Sequence, residues 1–238
     1  MKKVTFQDLG LIDYQKAWDY QQSCLKEVID VKLKNRHVKN DSPDYESPKH
    51  YLLFCHHPSV YTLGKSGSLD NLLLSEHELD RRAIGFYKIN RGGDITFHGP
   101  GQIVGYPIFD LEYFFTDIHR YIRSIEEAII RTLKEYGLIG MRIEGFTGVW
   151  LEGKNGQPNR KICAIGVHLS RWVTMHGFAF NVNTDLKYFD YIIPCGIQDK
   201  NKTVTSLKAE LNTEVSLEEV KNKVKKHLAD LFEFEFLR

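Results

Sequence analysis

The chain has 238 residues, 42 % hydrophobic and 12 % aromatic, and its 32 Lys and Arg against 31 Asp and Glu leave a net charge of +1. That composition supports a full core and excludes disorder as the main state. A charge so near zero gives no global pull toward nucleic acid or an anionic membrane surface. Met1-Lys2-Lys3 opens as a leader does, yet Val4–Ile12 carries Gln7 and Asp8 where an export signal needs an apolar run. No apolar stretch approaches a membrane span. The expectation is a cytoplasmic protein, its thiols Cys24, Cys55, Cys163 and Cys195 reduced and without C-x-x-C spacing.

Asp13 to Asn35 reads as a helix, because Tyr14, Trp18, Gln21, Leu25 and Val28 form one mostly apolar stripe. His37 to His50, with Pro43 and Pro48, is a solvated loop. Tyr51–Cys55 and Val60–Leu63 are strands on either side of His56-His57-Pro58, and Gly64–Asp80 holds a glycine turn and a short helix. Phe86–Asn90 is a strand entering the stretch Arg91–Pro107 (RGGDITFHGPGQIVGYP), which Ile103–Phe109 leaves as another. Asp117–Tyr136 is the clearest helix: Ile118, Ile122, Ile125, Ile129 and Leu133 face inward, with Thr116 as N-cap and Gly137 as the stop.

Thr147–Leu151, Lys161–Leu169 and Trp172–Val182 predict a three-stranded meander whose last turn falls at Ser170-Arg171. Thr203–Leu211 is a short helix, and Ser216 with Glu219 reads as a capping box opening a last helix through Leu231. No repeat or linker interrupts the chain. The fold class is α/β (α+β): a single domain over residues 1–238, a central mixed β-sheet flanked by helices.

The five glycines of Arg91–Pro107 cost folding entropy, and a turn alone has no need of Arg91, Thr96, His98 and Gln102 beside them. The stretch therefore reads as a pocket wall, in which loop amides and a few side chains close over a small ligand. Gly148–Lys154 matches most of a phosphate loop, but Asn155 stands where Ser or Thr should hold magnesium and Val149-Trp150-Leu151 favours strand, so that reading fails. The histidines at 56, 57, 98, 168 and 176 lack metal-ligand spacing, and no metal is expected. A buried free cysteine is commonly inert, but Cys195, between Pro194 and Gly196, reads as a loop residue, a position that can expose a sulfur and leave neighbouring amides free to bind an oxyanion. A thiol becomes a nucleophile on losing its proton, which a nearby cation promotes. Lys161, at the mouth of the apolar strand ICAIGVHL, is the candidate cation, and desolvation there would lower its own pKa and make it a base as well. Cys163, two positions on and expected on the same strand face, reads as packing, as do Cys24 and Cys55.

The segments HHPSVYTLGKSG (56–67), RGGDITFHGPGQIVGYPI (91–108), GVW (148–150), RKICAIGVHLSRWVTMHGFAFNV (160–182) and PCGI (194–197) together resemble the lipoyl/octanoyl transferases of the biotin/lipoyl protein ligase superfamily. The likeness runs from Tyr51 to Ile197, in order. It implies a biotin/lipoyl protein ligase-like fold. The implied enzyme moves an octanoyl or lipoyl group from octanoyl-acyl carrier protein to a lysine of lipoyl domains. The acceptors would be 2-oxoacid dehydrogenase E2 subunits and glycine cleavage H protein.

The resemblance puts the acyl-thioester nucleophile on Cys195 and the activating lysine on Lys161. It puts the acyl pocket on Arg91, Gly92, Gly93, Asp94, Ile95, Thr96, Phe97 and His98, on Ala164, Ile165 and Gly166, and on Gly177, Phe178 and Ala179. It implies no cofactor, no ATP, no nucleic acid, no membrane and a monomer. Asp94, Phe97, Cys163 and His168 depart from residues frequent in the family, and the His37–His50 loop is longer. Two rival readings share some of these features: an ATP-dependent lipoate or biotin ligase, and a non-catalytic module that binds acyl or lipoyl carriers. The sequence PCGI weighs against the first, and the pair Cys195 and Lys161 against the second.

Overall fold

Residues 2–153, 156–194 and 202–237 are described by a computed structural model. In chain order, β1 (Lys2–Leu11) leads to α1 (Tyr14–Lys34), β2 (Tyr51–His56), β3 (Val60–Leu63), α2 (Glu76–Arg81), β4 (Gly85–Lys88), β5 (Ile95–His98) and β6 (Gln102–Ile108). After α3 (Leu111–Phe114) and α4 (Ile118–Glu135) come β7 (Gly140–Ile143), β8 (Phe146–Leu151), β9 (Asn159–Ser170) and β10 (Val173–Asn181). Then follow β11 (Lys202–Val204), α5 (Leu207–Leu211), α6 (Leu217–Phe232) and β12 (Phe234–Phe236). Among the described residues one sheet runs β12-β1-β2-β6-β10-β9-β8-β7, with β11 beside β9, and a small sheet runs β4-β3-β5. β1 pairs in parallel with β12 and β2, and β11 with β9, while the other pairs of the large sheet are antiparallel. The sheet is mixed and flanked by helices, as the sequence predicts.

Two-residue alternation decides which helix covers which face. On β2, Leu52 and Phe54 point into a core shared with Ile125, Ile129 and Leu133 of α4 and Val220, Val224 and Leu228 of α6. Leu53 and Cys55, between them, point the other way and meet Ala17, Cys24 and Val28 of α1. The α1 stripe is thus buried on one face and the α4 stripe on the other. Asp13 caps α1 by accepting from Lys16 N. Asp117, not Thr116, caps α4: its carboxylate accepts from Arg120 N at 3.0 Å, a reach for which Thr116 stands one residue too early.

The other departures from the sequence reading have local causes. β1 and β5 were not expected, because KKVTFQDLGL is too polar for a buried alternation and ITFH lies inside the glycine-rich stretch. The turn between β9 and β10 falls at Arg171-Trp172, both at positive φ (51° and 63°), since Ser170 already pairs with Val173. Thr203 belongs to β11, and helix begins only at Leu207 behind the cap Ser206. Only half of the expected capping box forms on α6: Ser216 accepts from Glu219 N, while the Glu219 carboxylate accepts from the Tyr136 hydroxyl instead.

One buried charge ties α4 to the sheet. Glu126, fully buried, accepts from Arg123 (2.7 Å) and Arg142 (3.0 Å) through one oxygen and from Gly148 N (2.9 Å) through the other. Removing that carboxylate leaves the buried Gly148 N–H without its acceptor and takes one acceptor from each of Arg123 and Arg142. Glu126→Ala is expected to lower the unfolding free energy by about 3 kcal/mol. Glu126→Gln, which keeps an acceptor for Gly148 N, should lose less, as measured by urea denaturation.

Candidate active site

Small residues facing each other on β9 and β10 open a trough. Gly166 pairs with Gly177 and Ala164 with Ala179. The loop 91–94 closes over it: Gly92 N donates to Val167 O at 2.8 Å. A Cβ on Gly166 would stand 2.9 Å from Gly92 O, so a side chain there would push the loop away. Residues 64–66 hold the loop from its other side, with Lys65 N on Arg91 O (2.9 Å) and Ser66 N on Gly93 O (3.2 Å).

The result is a cavity of about 530 Å³, and Arg91, Gly92, Gly93, Asp94, Ile95, Thr96, His98, Ala164, Ile165, Gly166, Gly177, Phe178 and Ala179 line it. Phe97, expected with them, does not. It alternates away on β5 and stacks on Tyr188 with ring centroids 4.6 Å apart, inside the core of the small sheet.

Lys161 lines the same cavity. Its ammonium lies 4.6 Å from the centre of the Trp150 ring, over the indole face, a placement that favours a cation. An irregularity in the β8–β9 ladder puts it there. Val149 faces Cys163 and Trp150 faces Lys161, so β9 carries one extra residue between the two pairs. A bulge of this kind reverses the alternation beyond it. Cys163 consequently turns into the core and not onto the face of Lys161, which corrects the sequence expectation. Burial pushes the Cys163 thiol well up, with the Glu126 carboxylate adding to it and Lys161 opposing. Cys24 and Cys55 are buried too, with thiols raised by burial, and none of these three is a poised nucleophile. Cys195, Gly196 and Ile197 lie outside the described residues, but Pro194, directly before Cys195, lines the cavity.

A second cation stands nearby. Lys202 of β11 lies 4.4 Å from the centre of the Phe146 ring, and Phe146 packs edge-on against Trp150. Both lysines and both rings line the cavity. The sequence singles out neither Phe146, which lies one residue before the strand read at Thr147–Leu151, nor Lys202, which falls in the stretch read as irregular before Thr203.

The far wall is polar and neutral. Tyr14, His98, Gln102, Tyr106, His176 and Asn181 line it. Burial, with like charge from His57 and Arg91, holds the His98 pKa down at about 3. Burial, with Arg91 and His168, does the same for His176, also about 3. His176 sits in β10 at φ 60°, a conformation that costs a β-carbon residue strain. Its N–H donates to Gln21 Oε1 (3.1 Å), and its Nε2–H donates to Asn90 Oδ1 (2.8 Å), which can only accept. Nothing in HGFAF announces a left-handed histidine, and Tyr14 and Gln21 read from sequence only as helix stripe. Among the described residues no three His, Cys, Asp or Glu side chains are grouped to hold a metal ion, and no helix is long and apolar enough to cross a membrane.

Fold and cavity together define a small-molecule site on a mixed sheet. The model of the lipoyl protein ligase A/B catalytic domain matches residues 13–229. The chain belongs to that family. It is 60 % identical over 237 residues to an octanoyltransferase of Flavobacterium johnsoniae, covering 99 % of each. It is 47 % identical over 232 residues to one of Parabacteroides distasonis, covering 98 % of this chain and all of the relative. Among solved structures it resembles a bipartite lipoate protein ligase of Thermoplasma acidophilum, described with its E2 lipoyl domain, at TM-score 0.70 and 16 % identity over 100 % of this chain and 87 % of the other. It also resembles a lipoate-protein ligase A bound with ATP, at TM-score 0.65 and 15 % identity, over 100 % and 87 %. At such identities the structures establish the shared fold.

The buried neutral histidines set a pH dependence of stability. His50 and His57 are held at about 4 and His98 and His176 at about 3, all mainly by burial, against about 6.5 in the unfolded chain. Above about 6.5 neither state binds these protons; below it the unfolded state binds more, so stability falls as pH falls. Between about pH 6 and pH 4.5 each such histidine contributes a loss approaching 1.4 kcal/mol per pH unit. Unfolding free energy measured against pH should fall over that window, and His50→Gln should make the slope shallower by one proton.

Proposed function

We propose that the chain carries an octanoyl group from octanoyl-acyl carrier protein to a lysine of lipoyl domains, passing through a thioester on Cys195. That it is an acyltransferase follows from its family and from relatives at 47–60 % identity named octanoyltransferase. The observation that carries the finer reading is Lys161, whose side-chain nitrogen is held over Trp150 on the wall of a cavity that small and apolar residues line on one side. A fatty chain gains up to about 0.8 kcal/mol per CH₂ on entering such a space, enough to hold and orient it.

In this reading the Lys161 amine takes the proton of the Cys195 thiol, and the thiolate attacks the thioester carbonyl of the donor. The carbon–sulfur bond to the carrier breaks, and the carrier's sulfur leaves with the proton from Lys161. One thioester replaces another, so the step is close to balanced. The acceptor lysine then gives a proton to Lys161, and its neutral amine attacks the Cys195 acyl carbon. The sulfur leaves as a thiol and an amide forms. An amide lies below a thioester in free energy, so the sequence runs without ATP. The acceptors fitting this chemistry are the lipoyl domains of 2-oxoacid dehydrogenase E2 subunits and glycine cleavage H protein. The chain would act as a single catalytic domain, a monomer in the cytoplasm.

Mixing the protein with octanoyl carrier protein in the absence of ATP should add one octanoyl group to its intact mass. A lipoyl domain added afterwards should remove it. Cys195→Ala should abolish the adduct, and Lys161→Ala should slow acyl transfer by about 10²–10⁴-fold. Strict dependence on ATP, or an undiminished Cys195→Ala enzyme, would overturn the covalent route in favour of ligase chemistry.

A further inference from the structure

The polar wall of the cavity contains one continuous run of hydrogen bonds with a fixed direction. Arg91 Nη2 donates to Thr62 Oγ1 at 3.0 Å and to Thr62 O at 2.7 Å. Thr62 Oγ1 lies 3.3 Å from His98 Nε2, and His98 Nδ1 lies 2.8 Å from Gln102 Oε1. Gln102 Nε2 donates to Phe97 O (3.1 Å) and Asn181 Oδ1 (2.9 Å), and Asn181 Nδ2 donates to Thr205 O (3.0 Å). All seven of these residues, from Arg91 to Thr205, are buried. On the other side of the same residue, Thr205 N donates to Lys161 O at 2.9 Å.

Donor and acceptor chemistry leaves one arrangement. A guanidinium only donates, and backbone carbonyls only accept. Phe97 O and Thr205 O therefore orient both amides, with Gln102 Oε1 toward His98 and Asn181 Oδ1 toward Gln102. His98 must then carry its hydrogen on Nδ1 and accept the Thr62 hydroxyl hydrogen at Nε2.

We propose that this run is the device that positions Lys161, with Gln102 and Asn181 as its positioning residues. It joins the glycine loop on one side of the cavity to the backbone of the strand carrying the lysine on the other. Loop and lysine backbone are then set together when the acyl chain is seated. The inference rests on Lys161 acting at the acyl carbon.

Asn181→Asp tests it. The new side chain keeps the shape, and as a carboxylate it can accept from Gln102 but not donate to Thr205 O. As a neutral acid it can do both. Lys161, Lys202 and Arg91 line the same cavity, and Glu210 accepts from the Thr205 hydroxyl at 2.7 Å, so wild-type pH profiles are run in parallel. In the full-length enzyme kcat should fall about tenfold or more near pH 8, with KM for the octanoyl donor within about twofold. The variant-to-wild-type ratio of kcat should recover as pH falls and the new acid protonates. A ratio that stays flat with pH, or a loss carried by KM alone, overturns the inference.

If that variant does not fold, the wild-type enzyme still decides. Nitrogen NMR of labelled histidine, with His98 assigned by substitution, should show a neutral ring bearing hydrogen on Nδ1 near pH 7. Hydrogen on Nε2, or a charged ring, overturns the run. Retained activity in Lys161→Ala would instead overturn the reading of Lys161 itself, whatever Asn181→Asp shows.

Discussion

At Gly148 the backbone of β8 comes so near β9 that a Cβ would stand 2.5 Å from the Cys163 carbonyl oxygen. Only a residue without that carbon, at φ 119°, admits the approach. The extra residue of β9 sits directly beside this contact, and through it Lys161 turns to the cavity while Ile162 and Cys163 stay in the core. Glu126 fixes the Gly148 amide from α4, so the helix that builds the core also locks the bulge. Trp150, two residues along, then lies beneath the ammonium. Core packing and the placement of one cation are in this way a single constraint.

The periodic parts of this arrangement were legible in the sequence. The α1 and α4 stripes and the β2, β8, β9 and β10 strands carry alternations that local chemistry reads directly. Glycines 92 and 93 belong to the stretch that reads as a pocket wall, and both line the cavity. What the sequence hid depends on pairing between distant segments. The bulge exists only in the pairing, where one step along β8 from Val149 to Trp150 meets two along β9 from Cys163 to Lys161, so the face of Cys163 could not be read from its distance to Lys161. Phe97 has the apolar character of a pocket residue, yet strand alternation assigns it to Tyr188. β1 and β11 are too polar or too short to announce themselves, and each is a strand only because a partner supplies its hydrogen bonds.

The cavity separates two kinds of polar chemistry. Along one wall the histidines are neutral, because burial and the Arg91 charge disfavour a second positive group. Along the other, two ammonium groups rest on aromatic faces that stabilise positive charge. A thiol approaching the cationic wall meets a field that favours its thiolate. A thiol in the surroundings of Cys163 meets the opposite, being enclosed by apolar atoms with a carboxylate near. Position in the fold, more than residue type, decides which protonation state a thiol favours.

On its loop side the cavity is bounded by backbone and by Gly92, Gly93, Ala164, Gly166, Gly177 and Ala179. Its width follows from how near the loop 91–94 approaches β9, which is the distance that the Gly92–Val167 hydrogen bond sets. Side-chain walls can trim a pocket by rotamer changes at little cost, whereas a backbone wall moves only if hydrogen bonds on both of its sides break. Residues 64–66 and Val167 hold this loop from opposite sides. A ligand on this side of the cavity therefore meets a wall that gives way only where pairing breaks. The breadth of what the cavity accepts and the stability of the loop are for that reason linked at this wall, and substitutions that loosen the loop should broaden what the cavity accepts before they unfold the protein.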